Sequence, residues 1–278
     1  MDESTPDIKG FNLNPSNTSN PLIVPDEEGP RFNRDGIYYD MSGKKYLIVL
    51  NQHTYKRTRY FKYQQPSTRN GTDRDVKSLK MLFGNLGFDI TVFKDLEYDQ
   101  IIKELTAIAT QDHTRTSCVC VTILTHGDKG GEVHAADRPY LLSDVMTIFE
   151  KQPSLVNKPK LFFVQACRGG NVDAGSTVYL DSESVLTVPT HADFLVLCST
   201  VEDYLSYRDI NGSWMIQALC YIIDKYHQEL DLLHMITLMN REVAYERTTY
   251  TPSNKAMDNK KQMPETRFTL TKLLKFRG

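Results

Sequence analysis

An α/β fold, with a central, mostly parallel sheet and helices on both faces, is what this 278-residue sequence predicts, and two observations carry it. Short apolar runs rich in β-formers alternate along the chain with longer segments whose apolar residues recur at helical spacing. One of the runs, "SCVCVTIL" (117–124), is apolar almost throughout, the pattern of a strand buried on both faces.

The elements follow in order. "KYLIVLN" (45–51) reads as the first strand, and behind it comes a long polar and aromatic loop, "QHTYKRTRYFKYQQPSTRNG" (52–71), whose length points to function. Helical periodicity begins at Thr72, expected as the N-cap with Asp75 three residues on, and places Val76, Leu79, Phe83 and Leu86 on one stripe. "FDITVF" (88–93) is the second strand, and Ile101, Ile102, Leu105 and Ile108 mark the next amphipathic helix. After the apolar strand at 117–124, "LLSDVMTIFE" reads as helix and "PKLFFVQAC" as strand, so strand and helix alternate as in a wound parallel sheet.

The second half resumes with the strand "ADFLVLCST" (192–200). Two helices follow, one opening near Ser213 with Trp214, Ala218 and Ile222, the other near Asp231 with Leu232, Ile236, Met239 and Val243. "TRFTLTKLLKF" (266–276) is expected as the final strand and as a candidate seam between two copies. Residues 1–34, rich in Asn, Ser, Pro and acid, cannot bury enough to offset their ordering and read as a disordered leader. The small, acidic stretch 170–190 reads as a linker crossing the middle of one domain.

Bulk composition excludes several classes. A formal net charge of -2 leaves no global basic field for nucleic acid or an acidic membrane, and no run approaches the roughly 18 apolar residues of a membrane span. Five cysteines is an odd number, and Cys118, Cys120, Cys198 and Cys220 sit in apolar runs where a thiol behaves as a small hydrophobe. The expected address is the reducing cytoplasm, and no metal or cofactor motif is present.

Chemistry gathers where two strands end. In an open parallel sheet, reactive groups collect beyond the carboxyl ends of the strands. "VTILTHGD" places His126 and Gly127 after one strand, and "FFVQACRGG" places Cys167 after another. A thiolate nucleophile with a histidine that takes and returns its proton suffices for covalent catalysis, and glycines let a substrate carbonyl approach backbone N–H donors. Taken singly, a cysteine at a strand end is more often packing than a nucleophile, and a lone histidine more often a satisfied polar group.

The surrounding motifs decide between these readings. "TRNGTD", "THGD", "NKPKLFFVQACRGG", "ADFL", "NGSW" and "KKQMP" occur in the order found in caspases, so residues 36–278 resemble that family, whose signature is built around "QACRGG". The resemblance implies a caspase-like three-layer sandwich on a six-stranded sheet, with no cofactor and no metal. It makes Cys167 the nucleophile, His126 the acid/base, and the N–H groups of Gly127 and Cys167 the oxyanion donors. Ser67 or its neighbour would supply a carbonyl that orients the histidine. Arg69, Gln165 and Arg208 match the residues that grip a P1 aspartate. Leu205, Ser206, Tyr207, Asp209 and Trp214 match further substrate-binding positions. Three positions depart from the pattern: executioner caspases usually carry tyrosine where Leu205 stands and tryptophan at Tyr207, which bears on S2, and asparagine at Asp209, where a carboxylate means that a P4 aspartate is not expected to be strongly preferred.

The same resemblance divides the chain into a leader (1–34), a large subunit (35–173), an intersubunit linker (174–187) and a small subunit (188–278), separated by cleavage after aspartate. Asp181 in "VYLD" is the first expected processing site and Asp173 in "NVDA" the second, with Asp26 or Asp7 releasing the leader. Implied partners are protein substrates with P1 Asp, a second large/small heterodimer, an upstream activating caspase and inhibitor-of-apoptosis proteins. A catalytically poor homologue acting as a decoy would normally have lost Cys167, His126 or an S1 arginine, and a flavodoxin-like nucleotide binder would need a glycine-rich loop where "NQHTYKRTRYF" stands.

Overall fold

Side chains alternating across parallel strands build three layers. The computed structural model describes residues 29–30, 33, 35–168, 192–201, 206–209 and 211–276. Its main sheet comprises β1 (Lys44–Asn51), β2 (Phe88–Lys94), β3 (Thr116–Leu124), β6 (Lys160–Gln165), β7 (Phe194–Cys198) and β10 (Glu265–Phe268), in the order β10-β7-β6-β3-β1-β2. Every neighbouring pair is parallel except β7 with β10. The expected mostly parallel six-stranded sheet is therefore present, with β10 at one edge.

Leu47, Val49, Cys118, Cys120, Leu161, Phe163, Leu195 and Leu197 face one side. There they pack on α1 (Thr72–Asn85), α4 (Trp214–Tyr226) and α5 (Leu232–Glu246). The residues between them, Ile48, Leu50, Val119, Val121, Ile123, Phe162, Val164 and Val196, face α2 (Tyr98–Ala109) and α3 (Leu142–Glu150). A period of two on a strand sends neighbours to opposite faces, which explains why β3 is buried at every position. Each large apolar side chain so buried contributes about 1.5–3 kcal/mol, enough for the two faces together to hold the strand ends rigidly.

Two small ribbons complete the fold: β4 (Glu132–His134) with β5 (Pro139–Leu141), and β8 (Arg208–Asp209) with β9 (Gly212–Ser213). The chain winds from β1 through α1 to β2, then crosses back through α2 to β3 on the other side of β1. That reversal opens a crevice at the carboxyl ends of β1 and β3, where ligands collect in such sheets.

Two local expectations are corrected. The last strand ends at Phe268 rather than Phe276, because Leu274 and Phe276 turn inward and are buried against the helical layer. Gly71, at φ 87°, precedes α1 as its cap, and Thr72 lies inside the helix with its hydroxyl donating to Asn51 Oδ1 over 2.6 Å. Asp75 is not part of a capping box either, since its carboxylate is claimed by the start of α4.

Among the described residues no helix is long and apolar enough to cross a membrane. Cys118, Cys120, Cys198 and Cys220 are buried, and burial pushes up the thiols of Cys118, Cys120 and Cys220, that of Cys118 to about 12. Those three stay protonated and act as packing. The expected sites Asp7, Asp26, Asp173, Asp181 and Leu205 lie outside the described residues, as does the side chain of Asp209.

Candidate active site

Register brings the two motifs together. Leu124 of β3 pairs with Gln165 of β6, so His126 and Cys167 each stand two residues beyond the same rung of a parallel ladder. The backbone keeps step past the ladder, with Thr125 N–H donating to Gln165 O over 3.0 Å. At Gly127 the two turns nearly touch: a Cβ there would lie 2.5 Å from Cys167 O and 2.7 Å from Glu132 O. Glycine is therefore a steric requirement, independent of backbone angle.

The 52–71 loop returns over this edge. Ser67 O accepts from His126 Nε2 over 2.8 Å, and Ser67 Oγ lies 3.3 Å from the same nitrogen. With Nε2–H committed there, Nδ1 is the nitrogen left for proton exchange. Burial is the chief reason the imidazole titrates low, at about 4, with Arg69 and Arg208 adding to the effect against the Ser67 carbonyl. It is neutral at physiological pH. Cys167 is half-buried, its thiol 3.8 Å from the Ser206 carbonyl oxygen.

Sequence reasoning passed over Tyr55, inside that loop. Its hydroxyl accepts from His126 N–H over 3.0 Å and pairs with Thr125 Oγ1 over 2.9 Å, while its ring lies 5.1 Å from the imidazole, centroid to centroid. Because Thr125 Oγ1 itself donates to His134 O, the tyrosine hydroxyl donates to Thr125 and accepts from His126. A lone tyrosine in a polar loop carries no sequence signal for this.

Beside the dyad lies a cationic recess. Arg69 is fully buried, and its Nη1 donates to Gln52 O and Thr72 Oγ1, each over 3.0 Å. Its Nε and Nη2 are buried without a partner among the described residues. Arg208, anchored through Nε to Asn70 O over 2.8 Å, approaches closely enough for the two cations to repel. Desolvation, then Arg208, lower Arg69 to about 10, so it remains charged at neutral pH. Gln165 donates through Nε2 to Ser206 Oγ, and its buried Oε1 has no partner among the described residues. Turning the amide over keeps the bond, with the serine as donor, and offers Nε2 to an anion.

One anion sits behind the recess. Asp75 is fully buried and accepts from Ser213 N–H at 2.8 Å, Ser213 Oγ at 2.6 Å and Gln217 Nε2 at 2.7 Å. It attracts both Arg69 and Arg208. The Cβ-free Gly212, at φ +113°, is what lets that carboxylate fit, since a Cβ would stand 2.4 Å from Asp75 Oδ1. The sequence, which sets Asp75 three residues after Thr72, gives no sign of this use.

Next to Arg208, a cavity of about 430 Å³ is walled by Tyr207, Trp214, Glu246, Arg247 and Tyr250 among others. Tyr207 and Trp214 pack with ring centroids 5.0 Å apart. Among the described residues no group of three or more His, Cys, Asp or Glu could hold a metal.

Known proteins resemble this chain over most of its length. The family model described as the caspase domain matches residues 44–275. Over 227 residues the chain is 38% identical to a Drosophila melanogaster protein named caspase-1, covering 78% of this chain and 70% of that one. It is 36% identical to caspase-3 of Xenopus laevis, over 83% of this chain and 79% of the relative. The crystal structure of caspase-1 from Spodoptera frugiperda superposes with a TM-score of 0.79 at 34% identity, over 89% of this chain and 96% of that one.

Proposed function

The chain belongs to the caspase family, and from that premise we propose that it is a cysteine endopeptidase cutting proteins after aspartate. The observation that carries the aspartate rule is the fork of Arg69, half anchored to Gln52 and Thr72 and half buried with no partner among the described residues, beside Arg208 and Gln165. A short carboxylate satisfies those donors by charge-assisted bonds, whereas a neutral side chain would leave two cations desolvated and unpaired. Rejection of the analogue lacking the group then reaches roughly 10⁴.

In the reaction, His126 Nδ1 takes the proton of Cys167, and the thiolate attacks the carbonyl carbon of the P1 residue. The N–H groups of Gly127 and Cys167 receive the oxyanion. As the tetrahedral centre collapses, His126 returns the proton to the departing amine, leaving a thioester on Cys167. Water, giving its proton to the same imidazole, hydrolyses the thioester and frees the thiol. Ser67 holds the ring through this cycle.

Ser206, Tyr207, Asp209, Trp214 and Leu205 would receive the residues before P1. A carboxylate at Asp209 repels a P4 aspartate, so that residue is not strongly preferred. The same reading makes the protein a cytoplasmic zymogen cut at Asp181 or Asp173 into subunits bounded at 35–173 and 188–278, losing a leader at Asp26. The product pairs through β10, is activated by an upstream caspase, meets inhibitor-of-apoptosis proteins and acts as an effector of apoptosis.

Titration with a chloromethylketone bearing P1 Asp tests the proposal. Wild type is expected to lose one thiol and all activity, and Cys167→Ala to take no label. Equal hydrolysis of lysyl, leucyl and aspartyl reporters would overturn it.

A further inference from the structure

Of the motifs in the sequence, "KKQMP" has no part in the chemistry above, yet its glutamine is buried between two segments of the site. We propose that Gln262 is a positioning residue for substrate: its carboxamide sets the height of the docking segment 206–208 over the turn that bears Cys167. The inference rests on the endopeptidase reading and deepens it.

Gln262 is 2% exposed. Its Nε2 donates to Ser199 O over 2.8 Å, and its Oε1 accepts from Tyr207 N–H over 2.7 Å. Ser199, fully buried just past β7, reaches the other way: its Oγ donates to Ala166 O over 2.8 Å and lies 3.2 Å from Ala166 N. Its own N–H donates to Val164 O over 2.9 Å. Ala166 directly precedes Cys167, and Tyr207 directly precedes Arg208, so two buried side chains join the nucleophile's turn to the strand carrying half of the cationic recess. The backbone next to Gln262 is fixed as well, with Val201 N–H donating to Met263 O over 3.0 Å.

On its far side the docking segment is held by Trp214 N–H to Tyr207 O at 3.2 Å and by the β8–β9 ribbon. Ser206, which receives the Cys167 thiol and the Gln165 amide, lies between these supports. The relay needs one donor and one acceptor at the two ends of a planar group, which a carboxamide has. A carboxylate offers only acceptors, and would set an oxygen against the Ser199 carbonyl. With Gln262 shortened, the segment is free to move relative to Cys167, while His126 keeps its bond to Ser67 and the turn bearing Cys167 keeps the Ser199 bonds at Ala166.

The test compares wild type, Gln262→Ala and Gln262→Glu as full chains, with active sites counted by P1-Asp chloromethylketone. Expected is a KM for a P1-Asp peptide raised about tenfold, the equivalent of one hydrogen bond. The kcat per titrated site and the rate of thiol alkylation by iodoacetamide should stay within about twofold. In Gln262→Glu the KM penalty should shrink on acidification, since the protonated carboxyl again donates to Ser199. An unchanged KM, a parallel fall in kcat and alkylation, or a glutamate penalty independent of pH would overturn the assignment. If Gln262→Ala does not fold, the pH response of Gln262→Glu decides alone. Failure of wild type to cut aspartyl peptides would instead strike the endopeptidase reading.

Discussion

His126 donates its Nε2–H to the carbonyl oxygen of Ser67, 2.8 Å away, and by doing so is fixed as the tautomer whose Nδ1 is a base. Burial then keeps that base neutral down to about pH 4. The sign of the pH effect follows. The unfolded imidazole binds a proton near its ordinary 6.5 and the folded one does not until about 4, so the unfolded state holds more protons between those values. This residue's contribution to stability is complete above 6.5 and is lost as pH falls toward 4. We expect an NMR titration of the His126 ring, identified by its absence in His126→Asn, to show a midpoint far below 6.5. The variant should lose less stability than wild type between pH 6.5 and 4.

Arg69→Lys should separate charge from geometry. The guanidinium spends Nη1 on Gln52 O and Thr72 Oγ1, and its Nε and Nη2 have no partner among the described residues. An ammonium is one point, and can serve the anchor or the substrate but not both. The kcat/KM for a P1-Asp peptide should fall by about 10²-fold, consistent with loss of a charge-assisted pair worth about 3 kcal/mol. Steady-state kinetics on matched P1-Asp and P1-Asn peptides would show the preference narrowing, and an unchanged ratio would remove Arg69 from the recess.

Much of this was legible before any coordinates, and the division has a physical basis. Strands such as 117–124 announce themselves because burial on both faces demands apolar residues at every position. Cys167 and His126 stand two residues past one rung of the ladder, but their expected roles come from the resemblance carried by "THGD" and "QACRGG". What stayed hidden depends on contacts between residues far apart in sequence. Tyr55 meets His126 from 71 positions away, and Asp75 meets Ser213 from 138. Locally, Asp75 looks like a helix cap, and only the packing of α4 on α1 turns it to another use. The final strand was overextended for a related reason: Leu274 and Phe276 have the composition of a strand but are buried as an irregular tail.

Gly127→Ala tests the closeness of the two catalytic turns. The added methyl would stand 2.5 Å from Cys167 O and 3.0 Å from the Ala166 Cβ, both parts of backbone-anchored structure that cannot swing aside. The turns must part, and His126 with them. We expect a loss of at least about 10²-fold in kcat, the scale of a 1 Å misplacement, with far-ultraviolet circular dichroism unchanged because the displaced turns lie beyond the ends of β3 and β6. Normal turnover in this variant would refute the arrangement of the oxyanion donors.

Tyr39 joins the beginning of the chain to its later half. Its hydroxyl donates to Asp193 Oδ1 over 2.6 Å and accepts from Thr271 N–H over 2.9 Å, while Thr271 Oγ1 donates to the same aspartate oxygen over 2.6 Å. Asp193 adopts φ 69°, a left-handed conformation that aspartate tolerates better than most residues, and its backbone receives Lys160 N–H at the start of β6. All three groups are therefore parts of one buckle at the end of the sheet opposite the catalytic turns. Removing the hydroxyl leaves a buried carboxylate short of one donor and the Thr271 N–H without its acceptor, at a cost of about 1–3 kcal/mol. Tyr39→Phe, made in a Cys167→Ala background so that no self-cleavage intervenes, should lower the urea midpoint with an unchanged m-value. After cleavage between 168 and 193, Tyr39 and Asp193 would belong to different chains, and the same substitution should then speed their separation on dilution. A variant as stable as its parent in both forms would show that the aspartate is satisfied without the tyrosine.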